Sequence, residues 1–182
     1  MKGPCEELFK DERLKEACGK IFFEDRGPPG QIEKVKPVRE NCGFPGMASF
    51  QDAFVVGGSN TCIPHGLYSN CYYYVGTHDD QTIRDYFKEA PTEVITHLKE
   101  YLNVKEDEDL HQATLRCVYS TVADGVITQM QDLLPYKPGS RMNSPGVPTG
   151  QWRWKFTKDE LQSMPTRDIQ FYKKLVELYE RK

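Results

Sequence analysis

No run of about 18 apolar residues occurs in this 182-residue sequence, and no charged-then-apolar leader opens it, so it shows neither a membrane span nor a secretion signal. The six cysteines, Cys5, Cys18, Cys42, Cys62, Cys71 and Cys117, never come close enough for a CxxC pair. That excludes zinc spacing and, with no leader, favours free thiols in a cytoplasmic protein over disulfides. The four histidines, His65, His78, His97 and His111, form no ligand pattern, so no metal and no cofactor is expected. His97 and His111 fall in helix-like stretches and read as surface or partly buried residues. Neither sign of charge is in large excess, with 24 Lys and Arg against 27 Asp and Glu. A formal net charge of -3 and a pI near 5.8 supply no basic field for nucleic acid or an anionic membrane.

What the chain does contain is an alternation of helical and strand-like segments, the pattern of βα units around a parallel sheet. Residues 4 to 18 predict an amphipathic helix closed by Gly19, and a strand over 20 to 24 follows. A helix near 30 to 41, perturbed by Pro37, leads to a strand over 47 to 55 and a long Gly, Asn and Pro-containing loop over 56 to 70. Cys71 to Val75 is the next strand. Helices near 81 to 88, 92 to 102 and 109 to 123 precede a last strand over 126 to 131, a loop over 135 to 150 and a helix from Pro165 to Arg181. That final helix carries Ile169, Tyr172, Leu175, Val176 and Tyr179 on one face. No internal repeat or low-complexity tract interrupts the single domain 1–182.

Two predicted strands end in acids. The aromatic run through Tyr74 stops at Gly76-Thr77-His78-Asp79-Asp80-Gln81, and Ile21-Phe22-Phe23 stops at Glu24-Asp25. In α/β barrels the working residues stand at the C-terminal ends of the strands. Two carboxyl groups in one cleft are the minimum equipment for cleaving a glycosidic bond, one donating a proton and the other stabilising positive charge on the sugar. The competing reading of the second segment is a polar turn, with Asp79 capping a helix that starts near Gln81.

Four segments in fixed order carry a resemblance. They are Lys2 to Phe9 with Ile21-Phe22-Phe23-Glu24-Asp25-Arg26-Gly27; Gly43-Phe44-Pro45-Gly46-Met47; Pro64-His65 through Asn70-Cys71 to Gly76-Thr77-His78-Asp79; and Gly139-Ser140-Arg141-Met142-Asn143-Ser144-Pro145-Gly146 with Gln151-Trp152-Arg153-Trp154. Together they resemble the 4-alpha-glucanotransferases of the amylomaltase or disproportionating-enzyme type, in the α-amylase clan of glycoside hydrolases. The resemblance implies a retaining transglycosylase acting on α-1,4-glucans or maltooligosaccharides. It gives Glu24 the acid/base role and Asp79 that of transition-state stabiliser, with His78 and Asn143 on the donor sugar.

The family's nucleophile lies in an "RxDHxRG"-like stretch that has no counterpart in these residues, and a complete (β/α)8 TIM barrel takes about 250 residues. The chain is therefore expected to be the C-terminal portion of such a barrel, inactive alone, whose partners are the missing half or a second copy. A non-catalytic remnant or glucan-binding module is the alternative. Asp52 departs from an aromatic position of the family, and a charge in an interior strand requires a buried partner or a rearranged strand. Trp152 and Trp154 could stack on sugar rings, but their alternation with Arg153 favours packing. Asn143, in Asn-Ser-Pro-Gly, is also a good turn former.

Overall fold

The computed structural model describes residues 11–13, 32–54, 62–105 and 108–181. Glu24, the strand expected over 20 to 24, the helix expected over 4 to 18 apart from residues 11–13, and cysteines Cys5 and Cys18 lie outside the described residues. Cys62, Cys71 and Cys117 stand outside any disulfide.

Helix α1 (Ile32–Cys42) tolerates Pro37 and stops at Gly43, whose φ of 72° is open to glycine. The amide of Phe44 then donates back to the Arg39 carbonyl at 3.2 Å, closing the helix end. Strand β1 (Gly46–Ser49) is buried at all four positions and passes directly into a one-turn helix α2 (Phe50–Ala53). The strand expected over 47 to 55 is thus cut short. Phe50 and Phe54, four residues apart, put their rings 4.9 Å from each other in the core, a pairing that only a helical turn allows. Asp52 rides on that turn, half-buried, and is no longer a charge in a sheet interior.

Strand β2 (Cys71–Tyr74) alternates with period two: Cys71 and Tyr73 are fully buried, Tyr72 and Tyr74 half-buried. Helices α3 (Ile83–Glu89), α4 (Thr92–Tyr101) and α5 (Leu110–Tyr119) make the crossover to β3 (Gly125–Ile127). The strands pair in parallel in the order β1-β2-β3, with Gly46 opposite Cys71 and Tyr72 opposite Gly125. This is the parallel α/β arrangement the sequence pattern predicts, since parallel neighbours require such crossovers. β3 is shorter than expected. After Ile127 the chain turns into α6 (Met130–Leu133), because Gln131 and Asp132 bond to groups outside any ladder.

Helix starts follow side-chain chemistry. Thr82, not Asp79, caps α3 by accepting from the Asp85 amide at 3.2 Å, and Asp109 caps α5. Helix α7 (Lys158–Gln162) opens with a reciprocal Thr157–Glu160 capping box. The last helix, α8 (Thr166–Leu178), packs on α5. Of its expected apolar face, Leu175 is buried and Tyr172 and Tyr179 half-buried, while Ile169 and Val176 stay exposed. The core gathers Phe50, Tyr73, Val75, Ile83, Leu98, Leu115, Val118 and Leu175 between sheet and helices. No helix among the described residues is long and apolar enough to cross a membrane.

Candidate active site

The C-terminal ends of all three strands converge. β2 continues its hydrogen bonding one residue past its end, the Val75 amide donating to the Ile127 carbonyl at 3.1 Å, and the chain then turns at Gly76. Thr77 fixes that turn. Its amide and hydroxyl both donate to the Asp80 carboxylate, at 2.7 and 2.8 Å, and its hydroxyl accepts from the Asp79 amide at 3.3 Å. Asp80 is spent inside the turn, so Asp79 is the carboxylate presented outward.

Asp79 meets three partners from the sequence reading. The Asn143 amide donates to its Oδ1, and His78 Nε2 stands 3.4 Å from the same oxygen. Its other oxygen, Oδ2, has no protein partner among the described residues. The Asp79 side chain is one-third exposed, 33%, enough for a ligand to reach it. Asn143 therefore lies on the Asp79 carboxylate, a placement its turn-forming sequence alone did not decide. Arg141 ties the two loops: its Nη2 donates to the Asp79 carbonyl at 2.5 Å and its Nε to the Asn143 carbonyl at 2.7 Å. The Asn143 amide N–H closes the join on the His78 carbonyl at 3.0 Å.

Trp152 is not the packed residue its alternation with Arg153 predicts. It is 60% exposed, its ring centroid lies 5.0 Å from that of His78, and its backbone sits at φ 59°. A bulky residue in the left-handed region is uncommon, and such positions cluster at binding sites. Trp154, by contrast, is half-buried against Phe156. Neither the sequence spacing nor the composition distinguishes the two indoles. Only the left-handed turn at Trp152 aims it at His78.

Three glutamines and a buried acid hold these loops from below, and the sequence reading passed over all of them. Gln51, in α2 just past β1, donates to the Gln81 carbonyl at 2.9 Å. Gln51 and Gln129 crowd Gly76, where any added side chain would collide with the Gln51 amide. Gln131 donates to the Ser140 carbonyl at 3.1 Å, and Asp132 accepts from the Ile83 amide at 2.8 Å. One short segment after β3 thus anchors both the loop carrying Asp79 and the loop carrying Asn143.

Asp132 is 3% exposed, and burial pushes its carboxyl up to about 7 against the opposing pull of the Ile83 amide and Arg84. His111 is also 3% exposed, more deeply set than its sequence context predicts, and its Nε2 lies 2.7 Å from the Asp132 carbonyl. Burial, aided by Arg84, pushes its imidazole down to about 4. His97 remains at the surface. Among the described residues no cluster of three His, Cys, Asp or Glu side chains could hold a metal.

A family model described as 4-alpha-glucanotransferase matches residues 2–161. The chain is 37% identical over 164 residues to 4-alpha-glucanotransferase from Streptococcus pneumoniae serotype 4, covering 88% of this chain and 32% of that protein. It is 35% identical to the Aquifex aeolicus 4-alpha-glucanotransferase across 100% of this chain and 36% of that one. The chloroplastic/amyloplastic enzyme of Solanum tuberosum is 36% identical over 92% of the chain and 30% of its own length. In three dimensions the chain superposes on amylomaltase from Streptococcus agalactiae, solved in complex with acarbose, with a TM-score of 0.84 and 31% identity. That superposition covers 100% of this chain and 36% of the amylomaltase. The chain spans about a third of the length of these relatives.

Proposed function

The chain belongs to the 4-alpha-glucanotransferase family, matched over residues 2–161, and on that premise we propose that it carries part of the active site of an enzyme transferring α-1,4-glucan segments by a retaining mechanism. Asp79 stabilises the oxocarbenium-like transition state, and the single observation that carries this role is the convergence of Asn143 and His78 on one oxygen of its carboxylate. Asn143 and His78 fix the carboxylate against the donor sugar while Oδ2 remains for a sugar hydroxyl. Trp152, its ring tilted 36° to that of His78, offers an apolar plate at the same place. Glu24 is assigned the proton donor by its sequence match, and the attacking carboxylate comes from outside these 182 residues. Starch- and maltose-derived maltooligosaccharides are the substrates of this reading, and the similar streptococcal amylomaltase was solved in complex with acarbose. A cytoplasmic location belongs to the proposal as well, in keeping with Cys62, Cys71 and Cys117 standing outside any disulfide.

The test joins the chain to the preceding portion of a family member and follows maltotriose disproportionation by chromatography. Glu24→Gln should lose most of its turnover on maltotriose and recover it on an activated aryl glycoside, whose leaving group needs little protonation. Asp79→Asn should lose on both, since charge develops at the sugar whichever group departs. Equal behaviour of the two variants on that substrate pair would show the roles to be wrongly assigned.

A further inference from the structure

A concavity of about 250 Å³ is lined by Leu134, Tyr136, Lys137, Trp154, Phe156 and Glu160 among others, and none of His78, Asp79, Asn143 and Trp152 lines it. Its chemistry narrows what could occupy it. Lys137 Nζ lies 3.0 Å from Glu160 Oε1, so the cation and the carboxylate neutralise each other and leave no net charge for a phosphate, a carboxylate or an amine. Trp154 and Phe156 form an aromatic wall, their ring centroids 5.7 Å apart. The Trp154 Nε1–H is buried and finds no acceptor among the described residues. A purely aliphatic occupant would leave that donor unmet, and an unmet buried donor is costly. The remaining class is a neutral ring with an apolar face and peripheral hydroxyls. The volume lies below the roughly 300 Å³ at which drug-sized pockets begin, so it suits one sugar ring and not an extended chain.

We propose that this cleft is a second carbohydrate subsite, separate from the Asp79 site, that takes one glucose unit of an α-1,4-glucan. The identity of the sugar rests on the reading given under Proposed function; the separation of the two sites does not. The ring packs on Trp154 and Phe156, a small rotation of the indole brings its N–H to a ring hydroxyl, and the Lys137–Glu160 pair receives the remaining hydroxyls. Such a foothold would retain a long glucan between transfers.

The chain has only two tryptophans, one at each site, which makes the test direct. Trp152→Phe leaves Trp154 as the only tryptophan of the full chain, excited selectively at the red edge of its absorption where the tyrosines absorb little, and Trp154→Phe leaves Trp152. At low micromolar protein, maltotriose should produce a saturable change in Trp154 emission that sorbitol does not. Adding Phe156→Ala, at a residue already 40% exposed and so tolerant of truncation, should weaken that titration about ten-fold, the loss of one aromatic contact. A silent Trp154 overturns the subsite whether Trp152 responds or not. A response of Trp152 alone keeps the Asp79 site and removes this one, whereas a response of Trp154 alone keeps this subsite and counts against the Asp79 site. Equal responses to maltotriose and sorbitol, or no weakening by Phe156→Ala, also overturn it.

Discussion

One carboxylate oxygen of Asp79 is committed to Asn143 and the other is left open, so the group's orientation depends on an amide from a distant loop. Asn143→Ala in the joined enzyme should lower kcat on maltotriose by about ten- to a hundred-fold with a smaller change in KM, because a freely rotating carboxylate is no longer preorganised for the transition state. Steady-state kinetics decides this, and a change in KM alone would place Asn143 in ground-state binding instead.

Buried Asp132 and His111 yield a second prediction at the same scale. The ordinary value of an aspartate is 3.8 and folded Asp132 stands at about 7, so between them the folded state holds the extra proton and stability falls as pH rises. For His111 the ordinary value is 6.5 and the folded one about 4, so the unfolded state holds the extra proton there and stability rises with pH. Each slope is at most about 1.4 kcal/mol per pH unit, and over the shared window they oppose. Asp132→Asn keeps an acceptor for the Ile83 amide but removes the falling term. Relative to the parent, its stability should climb from about pH 4 to about pH 7, while that of His111→Gln should decline over about pH 4 to 6.5. Urea unfolding across that range measures both, and parallel curves for variants and parent would contradict the two assignments.

Among the elements, the turn after β2 is the one on which the site depends most. A Cβ at Gly76 would meet the Gln51 side-chain amide, with that of Gln129 close behind it. Gly76→Ala should push Gln51 off the Gln81 carbonyl and loosen the Asp79 loop, at a cost of about 1–3 kcal/mol from overpacking. Hydrogen exchange should show faster exchange at the Asp79 and Asp80 amides, with β1 little changed. If the Asp80 amide keeps its protection, the Gln51 brace is not what holds the turn. At the other end of the chain, Arg181 donates to the carbonyls of Tyr119, Thr121 and Ala123, tying the tail of α8 to the loop that follows α5. Its planar fork matches this set of acceptors, and a lysine ammonium cannot span them. Arg181→Ala should destabilise the chain by about 2 kcal/mol and Arg181→Lys should recover little of it, as read from denaturant midpoints.

For the whole molecule, the three-stranded parallel sheet decides how the chain behaves alone. Among the described residues β3 pairs with β2 alone, and its other side presents backbone groups that no strand there meets. Open edges template pairing with other chains. The isolated chain should therefore self-associate, with scattered intensity rising steeply with concentration, and should not transfer glucose units from maltotriose. A monomer with a sharp cooperative melt would contradict the first expectation, and maltooligosaccharide products abolished by Glu24→Gln the second.

The family, the parallel α/β class and the acid turn that ends β2 were legible in the sequence, because motif order and strand-end acids are local features that survive without coordinates. So were the Cys71–Tyr74 strand and the helices that follow it. The boundaries of β1 and β3 were not, since the i,i+4 ring contact of Phe50 with Phe54 and the long-range bonds of Gln131 and Asp132 overrode local strand pattern. The joining of His78, Asp79 and Asn143 was implied by motif but decided only by folding, through the Arg141 bridge across 62 residues of chain. The same is true of the two tryptophans: one residue apart and alike in sequence, they part because a left-handed turn sends Trp152 to His78 while Trp154 packs on Phe156. Sequence fixes which groups are available, and only the tertiary contacts bring together groups whose separation along the chain carries no signal.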